Sequence, residues 1–148
     1  MIVPRRALFV ALILSVSAMG IVRAQDGKAK ASTAAEDAIR GYLQSSLGLT
    51  EPLLSCVARA NTTMQTGHVP FDRFSSTKDA YAAAKVEKWK KAFSETEKQK
   101  VDSVVSVAGT ARASEDGTTW HDVTVRCGIK GSKLATFEVV DRGAVKVK

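Results

Sequence analysis

The 148-residue chain is predicted to fold as an α+β domain, with helices first and an antiparallel sheet last. Three observations carry this expectation. Apolar residues recur at spacings of three and four through the first half, they alternate at period two through the last third, and each half contributes one of the two cysteines, Cys56 and Cys127. Apolar and charged fractions of 45% and 25% are those of an ordinary globular protein, and the length suits a single core.

Residues 1–24 are set aside from that fold. A short head carries Arg5 and Arg6, residues 7–22 are apolar apart from Ser15, Ser17 and Gly20, and Val22 and Ala24 stand at −3 and −1 before Gln25. This is the pattern of a secretory signal peptide cleaved between Ala24 and Gln25. An uncleaved anchor would need roughly 20 apolar residues, more than this run supplies. The processed chain is therefore expected to be exported, periplasmic or secreted, with no stable membrane span. Losing Arg5, Arg6 and Arg23 and no acid leaves 19 basic and 15 acidic side chains, so a net charge of +7 becomes +4. An excess of that size favours weak contact with anionic surfaces.

Two cysteines in an exported chain are expected to form one disulfide, Cys56 to Cys127. Closing a loop of that length stabilises by about 4 kcal/mol in the chain-entropy model. Redox catalysis needs two thiols close in sequence or a lone activated one, and neither is present.

After a polar leader at residues 25–32, expected to be disordered, the domain is read as residues 33–148. Thr33 and Glu36 form a capping-box pattern, and Ala35, Ile39, Tyr42, Leu43 and Leu47 make an apolar helical stripe that Gly48 ends. Thr50, Glu51 and Pro52 suit the start of a second helix carrying Leu53, Leu54, Cys56, Val57 and Ala58, fading at residues 61–67. Residues 66–76, with Gly67, Pro70, Phe71 and Phe74, read as a connection folded against the body. Thr77 caps a third helix over residues 78–93 with Ala82, Val86, Trp89 and Phe93 on one side, and Ser94 and Glu97 suggest a fresh short helix over 94–100.

The period then changes. Residues 101–113 are rich in β-branched side chains, and Asp116-Gly117 supplies hairpin chemistry before a second strand at 120–129. Lys130-Gly131-Ser132-Lys133 is a further tight turn, residues 134–140 alternate as a third strand, and Asp141-Arg142-Gly143 turns the chain into a short fourth strand at 144–147. The expectation is three or four helices followed by a three- to four-stranded antiparallel meander.

Catalytic patterns are sparse. His68 sits beside Gly67 in a loop, and His121, next to Trp120, is assigned to the face opposite Val123 and Val125; neither belongs to a HExxH, a nucleophile elbow or a cysteine–histidine array. Asp72, Asp79, Asp102, Asp116 and Asp122 are scattered, without a calcium loop. No catalytic, metal or cofactor residue is assigned, and no cofactor is expected. Lysines 85, 88, 90, 91, 98 and 100 read as a solvated helix surface rather than a nucleic-acid site, because glutamates interleave and no aromatics stand ready to stack on bases. Trp89 and Trp120 read as core or sheet-covering groups. Asn61-Thr62-Thr63 matches a glycosylation sequon, relevant only to export through an endoplasmic reticulum.

The order from Trp89, WKKAFSETEKQKVDSVVSVAGTARASEDGTTWHDVTVRCGIKGSKLATFEV, resembles small exported proteobacterial proteins with a BspC-type domain of poorly defined function. The resemblance covers residues 35–140 and lies in a tryptophan-bearing helix, a W-x-x-V-x-x-R-C-like strand and a G-K-like turn. It implies a secreted bacterial protein and brings no catalytic residues. The terminal meander, with turns at Gly131 and Asp141-Arg142-Gly143, is also similar to PepSY-type domains, from which the helical prelude departs.

These readings point to a non-enzymatic exported binding or interaction module. Its binding face is expected on the sheet around Trp120, His121, Thr124 and Arg126, and its partner is expected to be a protein or envelope component. The alternatives are a small hydrolase or metal-dependent enzyme whose residues converge from distant positions, with His68 and His121 joining an acid in one cleft, and an envelope protease-inhibitor-like module.

Overall fold

A computed structural model describes the backbone of residues 23–145 and the side chains of residues 34–145. Residues 1–22, most of the expected signal segment, lie outside the described residues, as do 146–148. The fold is α+β: two packed helices, α1 (Arg23–Leu47) and α2 (Leu53–Gln65), cover one face of an antiparallel sheet of five strands. The strands are β1 (Phe71–Ser75), β2 (Lys85–Lys88), β3 (Ser103–Ala113), β4 (Trp120–Lys130) and β5 (Lys133–Ala144), with the one-turn helix α3 (Lys78–Ala82) between the first two. β1 and β2 share one edge of β3, β4 lies centrally, and β5 forms the other edge.

The apolar spacing of α1 does what it predicts at Ile39, Leu43 and Leu47, which pack on the core, but Tyr42 stands 62% exposed. Gly48 ends the helix in the left-handed region at φ 66°, with Leu49 N donating to Leu43 O at 3.3 Å. At its other end α1 runs back past Thr33 through the stretch expected to be a disordered leader. Two alanines, two lysines and one glutamine among residues 25–32 favour helix there, against Asp26, Gly27 and Ser32.

α2 also exceeds its expected end. Asn61 Nδ2 donates to Val57 O at 2.9 Å and the buried Thr62 hydroxyl to Ala58 O at 3.0 Å, while Met64 is buried one turn further on. Thr50 does not cap this helix with its side chain. Pro52 holds the cap position, and the Glu51 carboxylate accepts from Ser55 N at 3.3 Å and Ser55 Oγ at 2.6 Å.

The largest departures lie between residues 66 and 102. The expected connection holds β1, which was hidden because Phe71 and Phe74 are three apart, not two. A bulge between Phe71 and Arg73 lets both rings enter the core. The expected helix over 78–93 stops after α3, and no helix forms over 94–100. The reason is tertiary: Tyr81 belongs to the core under the helices, whereas Phe93 joins Val101 and Val104 in a second cluster on the opposite face of the sheet. One continuous helix would hold both rings on one side of the sheet, so the chain crosses the edge of β3 as β2 instead, overriding local propensity. Ser94 and Glu97 still form a closed turn, Glu97 N donating to Ser94 Oγ at 3.0 Å.

The meander follows its turn chemistry. Gly117 and Gly131 take positive φ values of 64° and 62°, and β3 pairs β4 with Val105 opposite Cys127 and Val107 opposite Val125. Asp141-Arg142-Gly143 does not start a new strand; β5 continues through it to Ala144. Val123, Val125 and Cys127 are at most 1% exposed and meet α2, where Cys127 is bonded to Cys56 with their Cα atoms 5.7 Å apart.

Gly109 marks the tightest approach between β3 and the chain leaving β1. A Cβ there would lie 2.5 Å from the Ser75 backbone oxygen and 2.6 Å from Phe74 Cε2. The oxygen cannot rotate away, so Gly109→Ala should lower stability by about 1–3 kcal/mol, read by urea unfolding.

Candidate functional site

Alternation along β4 sorts its side chains between two environments. The odd positions from Val123 to Ile129 face the helices, and the even positions face away. Three of the four residues expected to form a binding face, Trp120, Thr124 and Arg126, share that outer face. Trp120 opposes Arg112 of β3, and Thr124 Oγ1 accepts from Arg142 Nε of β5 at 2.9 Å.

His121 is on the other side, contrary to expectation. Period two puts it with Val123, it pairs with the buried Ala111, and its ring meets Phe71 edge-on with centroids 5.6 Å apart. Its Nδ1 lies 2.9 and 3.0 Å from the two carboxylate oxygens of Asp141, in a cleft of about 290 Å³ that also takes in Pro70, Ser114 and Glu115. His68 does not line this cleft; its Nδ1 contacts Thr66 O at 3.1 Å within its own loop. Among the described residues no three histidine, cysteine or acidic side chains converge as a metal-binding group.

On the outer face the central feature is Arg126. Its guanidinium pairs with Glu138 of β5 and lies 5.4 Å from the Trp89 ring centroid and 5.2 Å from that of Phe93. Lys91 Nζ stands 4.7 Å from the same indole, and Trp89 Nε1 donates to Ala92 O at 2.8 Å, so the tryptophan is fixed at its polar end. Phe93, fully buried, sits over Gly128, where a Cβ would come within 2.9 Å of its ring and 2.6 Å of Thr136 Cγ2. The segment over residues 89–102 therefore caps one end of the outer face and leaves a groove of about 660 Å³ lined by Trp89, Lys91, Lys98, Arg126, Glu138 and Val140.

Towards Trp120 the outer face has no such cover among the described residues. Ala108 of β3, Thr124 of β4 and Val140 of β5 form one rung of small or branched side chains. Arg142 crosses this rung, and Arg112 holds Asp72 in a two-point contact of 2.9 and 2.7 Å. The lysines read as one helix surface are instead divided between β2 and the capping segment. Trp89, Phe93, Glu138 and Arg142 were not assigned to this face from sequence.

The folded geometry lowers the pKa of several carboxylates. The Thr119 hydroxyl and the Thr118 and Thr119 amides hold Asp116 far below the usual range, the Arg112 guanidinium lowers Asp72, and the Gly143 amide, with His121, lowers Asp141. A group with a depressed folded pKa contributes stability above its unfolded value and loses it as pH falls through the folded value. The thermal midpoint should thus be level from about pH 7 to 5 and fall below about pH 4, the ordinary carboxylate range, when followed by circular dichroism.

Compared with protein families, curated proteins and solved structures, the chain matches none.

Proposed function

We propose that this chain is an exported, non-enzymatic binding module, periplasmic or secreted, that presents the outer face of its sheet to a protein or envelope component. One observation carries the reading: the sheet is covered unequally. Its helix side is closed by α1 and α2 over a continuous core, while the outer side, among the described residues, is capped only at the Phe93 end. The remainder offers Trp120, Thr124 and Arg142 beside a groove with cationic and aromatic walls. Rigid strands hold these groups, and an aromatic residue with neighbouring arginines is the composition of energetically dominant contacts.

Export is supported by the signal-type pattern at residues 1–24 and by the Cys56–Cys127 disulfide, which persists in oxidising compartments. Among the described residues no helix is long and apolar enough to cross a membrane. Protein recovered from its native compartment should begin at Gln25.

The binding reading is tested by Trp120→Ala combined with Thr124→Ala, neither side chain belonging to the main core. Chemical cross-linking in intact cells, followed by purification, should yield a defined adduct with the parent protein and at least ten-fold less with the double variant at equal thermal stability. Equal recovery from both would contradict the assignment of this face.

A further inference from the structure

Charge is divided along the direction of the strands. At one end, β2, the segment over residues 89–102 and the hairpin at 130–133 together bring eight lysines against four acids, whereas the rest of residues 34–145 carries seven cations against ten acids. Main-chain pairing gathers these three stretches. β2 lies along residues 103–106 of β3, Trp89 N donates to Asp102 O at 2.8 Å, and Gly131 N donates to Asp102 Oδ2 at 2.6 Å. Glu115 and Asp116 occupy the β3–β4 turn at the opposite end. All eight lysines are exposed, and among the described residues every ion pair is made by an arginine or by His121, none by a lysine. Two of the four acids are engaged by main-chain amides, Asp102 by Gly131 and Glu97 by Gln99 at 3.0 Å.

We propose that this basic end docks on an anionic phospholipid surface, with its lysines among the headgroup phosphates and the strands leading away from the bilayer. A laterally mobile array of phosphates calls for a spread of cations without fixed geometry, which ammonium groups on flexible stems supply. A specific protein interface is instead enriched in arginine and depleted of lysine, and these three stretches hold eight lysines and no arginine. Single-stranded nucleic acid needs a free stacking platform, and here Lys91 and Arg126 already lie against the Trp89 ring. Val86 is the one large apolar side chain exposed on these stretches, so charge, not insertion, holds the protein to the lipid. β4 then carries Trp120 about 30 Å from the hairpin end, beyond the reach of the surface field. That leaves the outer sheet face open to its own partner, and the docking does not depend on what that face binds.

Co-sedimentation of the oxidised protein with vesicles tests this. Vesicles of phosphatidylcholine and phosphatidylglycerol in a two-to-one ratio should bind it, and phosphatidylcholine alone should not. Binding should fall at least ten-fold as added salt screens the lysines, a readout that needs no variant. Lys88→Gln, Lys100→Gln and Lys133→Gln together remove one exposed charge from each stretch and should weaken binding at least ten-fold at an unchanged thermal midpoint. Arg59→Gln, Arg73→Gln and Lys78→Gln remove the same charge from the rest of the domain and should leave binding within about two-fold of the parent protein. At matched ionic strength, inorganic phosphate should displace no more protein than chloride does. Equal binding to neutral vesicles, no binding to anionic ones, or equal losses in the two triple variants would overturn the proposal. So would selective displacement by phosphate, which would mean a site for one phosphate, or stronger capture by immobilised polyglutamate than by the vesicles, which would mean an acidic protein partner.

Discussion

Replacing both cysteines, Cys56→Ala with Cys127→Ala, should lower the unfolding free energy by about 4 kcal/mol. The bond closes a 71-residue loop between α2 and β4, so it links the helical layer to the central strand of the sheet and spans most of the ordered domain. Both residues are fully buried, Cys56 beside Val57 and Cys127 between Val125 and Ile129. Truncation therefore also leaves unfilled space in the part of the core with least freedom to collapse. For a domain of ordinary stability, about 5–15 kcal/mol, the loss is a large fraction of the total. Urea titration should show a lower midpoint and a larger slope, because the unfolded chain without the cross-link exposes more surface. A loss below about 1 kcal/mol would mean that the helix layer is held by packing alone. The parent protein in a thiol reductant that reaches the bond should behave as the double variant does. This ties a stable fold to an oxidising compartment.

Phe93→Ala should cost about 3–5 kcal/mol, and its effect should be concentrated on the outer face. Phe93 is the largest fully buried side chain in the domain, and no regular element carries it. It sits in the space that Gly128 leaves, against Val101 and Val104, with Arg126 against its ring. Few main-chain bonds hold the surrounding segment: Trp89 N donates to Asp102 O at 2.8 Å, Phe93 N to Gln99 O at 3.0 Å and Ser94 N to Glu97 O at 3.0 Å, beside a single bridge between Ala92 and Lys100. Without the ring, residues 89–102 lose their anchor, and the groove beside Arg126 loses a wall. Limited trypsin digestion should then cut at Lys90, Lys91, Lys98 or Lys100 at least ten-fold faster than in the parent protein, before the strands open. Uniform resistance, with only a global shift in midpoint, would show that the segment is held by its backbone and not by Phe93.

The sequence made the turns and the central strands legible because their signals are local. Asp116-Gly117 and Gly131 occupy the positive-φ positions that hairpins demand, and Val123, Val125 and Cys127 alternate without interruption. The cysteine pair was legible because no other partner existed. What escaped was set by bulges and by the side of the sheet on which a residue ends. The bulge at Asp72 spaced Phe71 and Phe74 by three and disguised β1. A register shift between Gly128 and Ile129 moved the pairing by one residue: counting back from the 130–133 turn aligns Arg126 with Phe137, whereas its partner is Glu138. The spacing of Ala82, Val86, Trp89 and Phe93 fits a helix, yet Val86 is 55% exposed on β2 and Phe93 lies beyond the sheet. Helical spacing records which residues could share a face, and it carries no information about whether tertiary structure needs them on opposite sides of a sheet. His121 was legible and misassigned, since alternation alone places it with Val123, where it contacts Phe71 and Asp141.

The outer face thus gathers residues from four separate stretches: Trp89 and Phe93, Arg112, Trp120 to Arg126, and Glu138 to Arg142. Its assignment as the working surface is tested most directly by placing a photo-activatable amino acid at Thr124 in one strain and at Arg59, on α2, in another, then irradiating intact cells. A discrete cross-linked species is expected from position 124 and none from position 59. A species formed from position 59 alone would contradict it and move the binding surface to the helices.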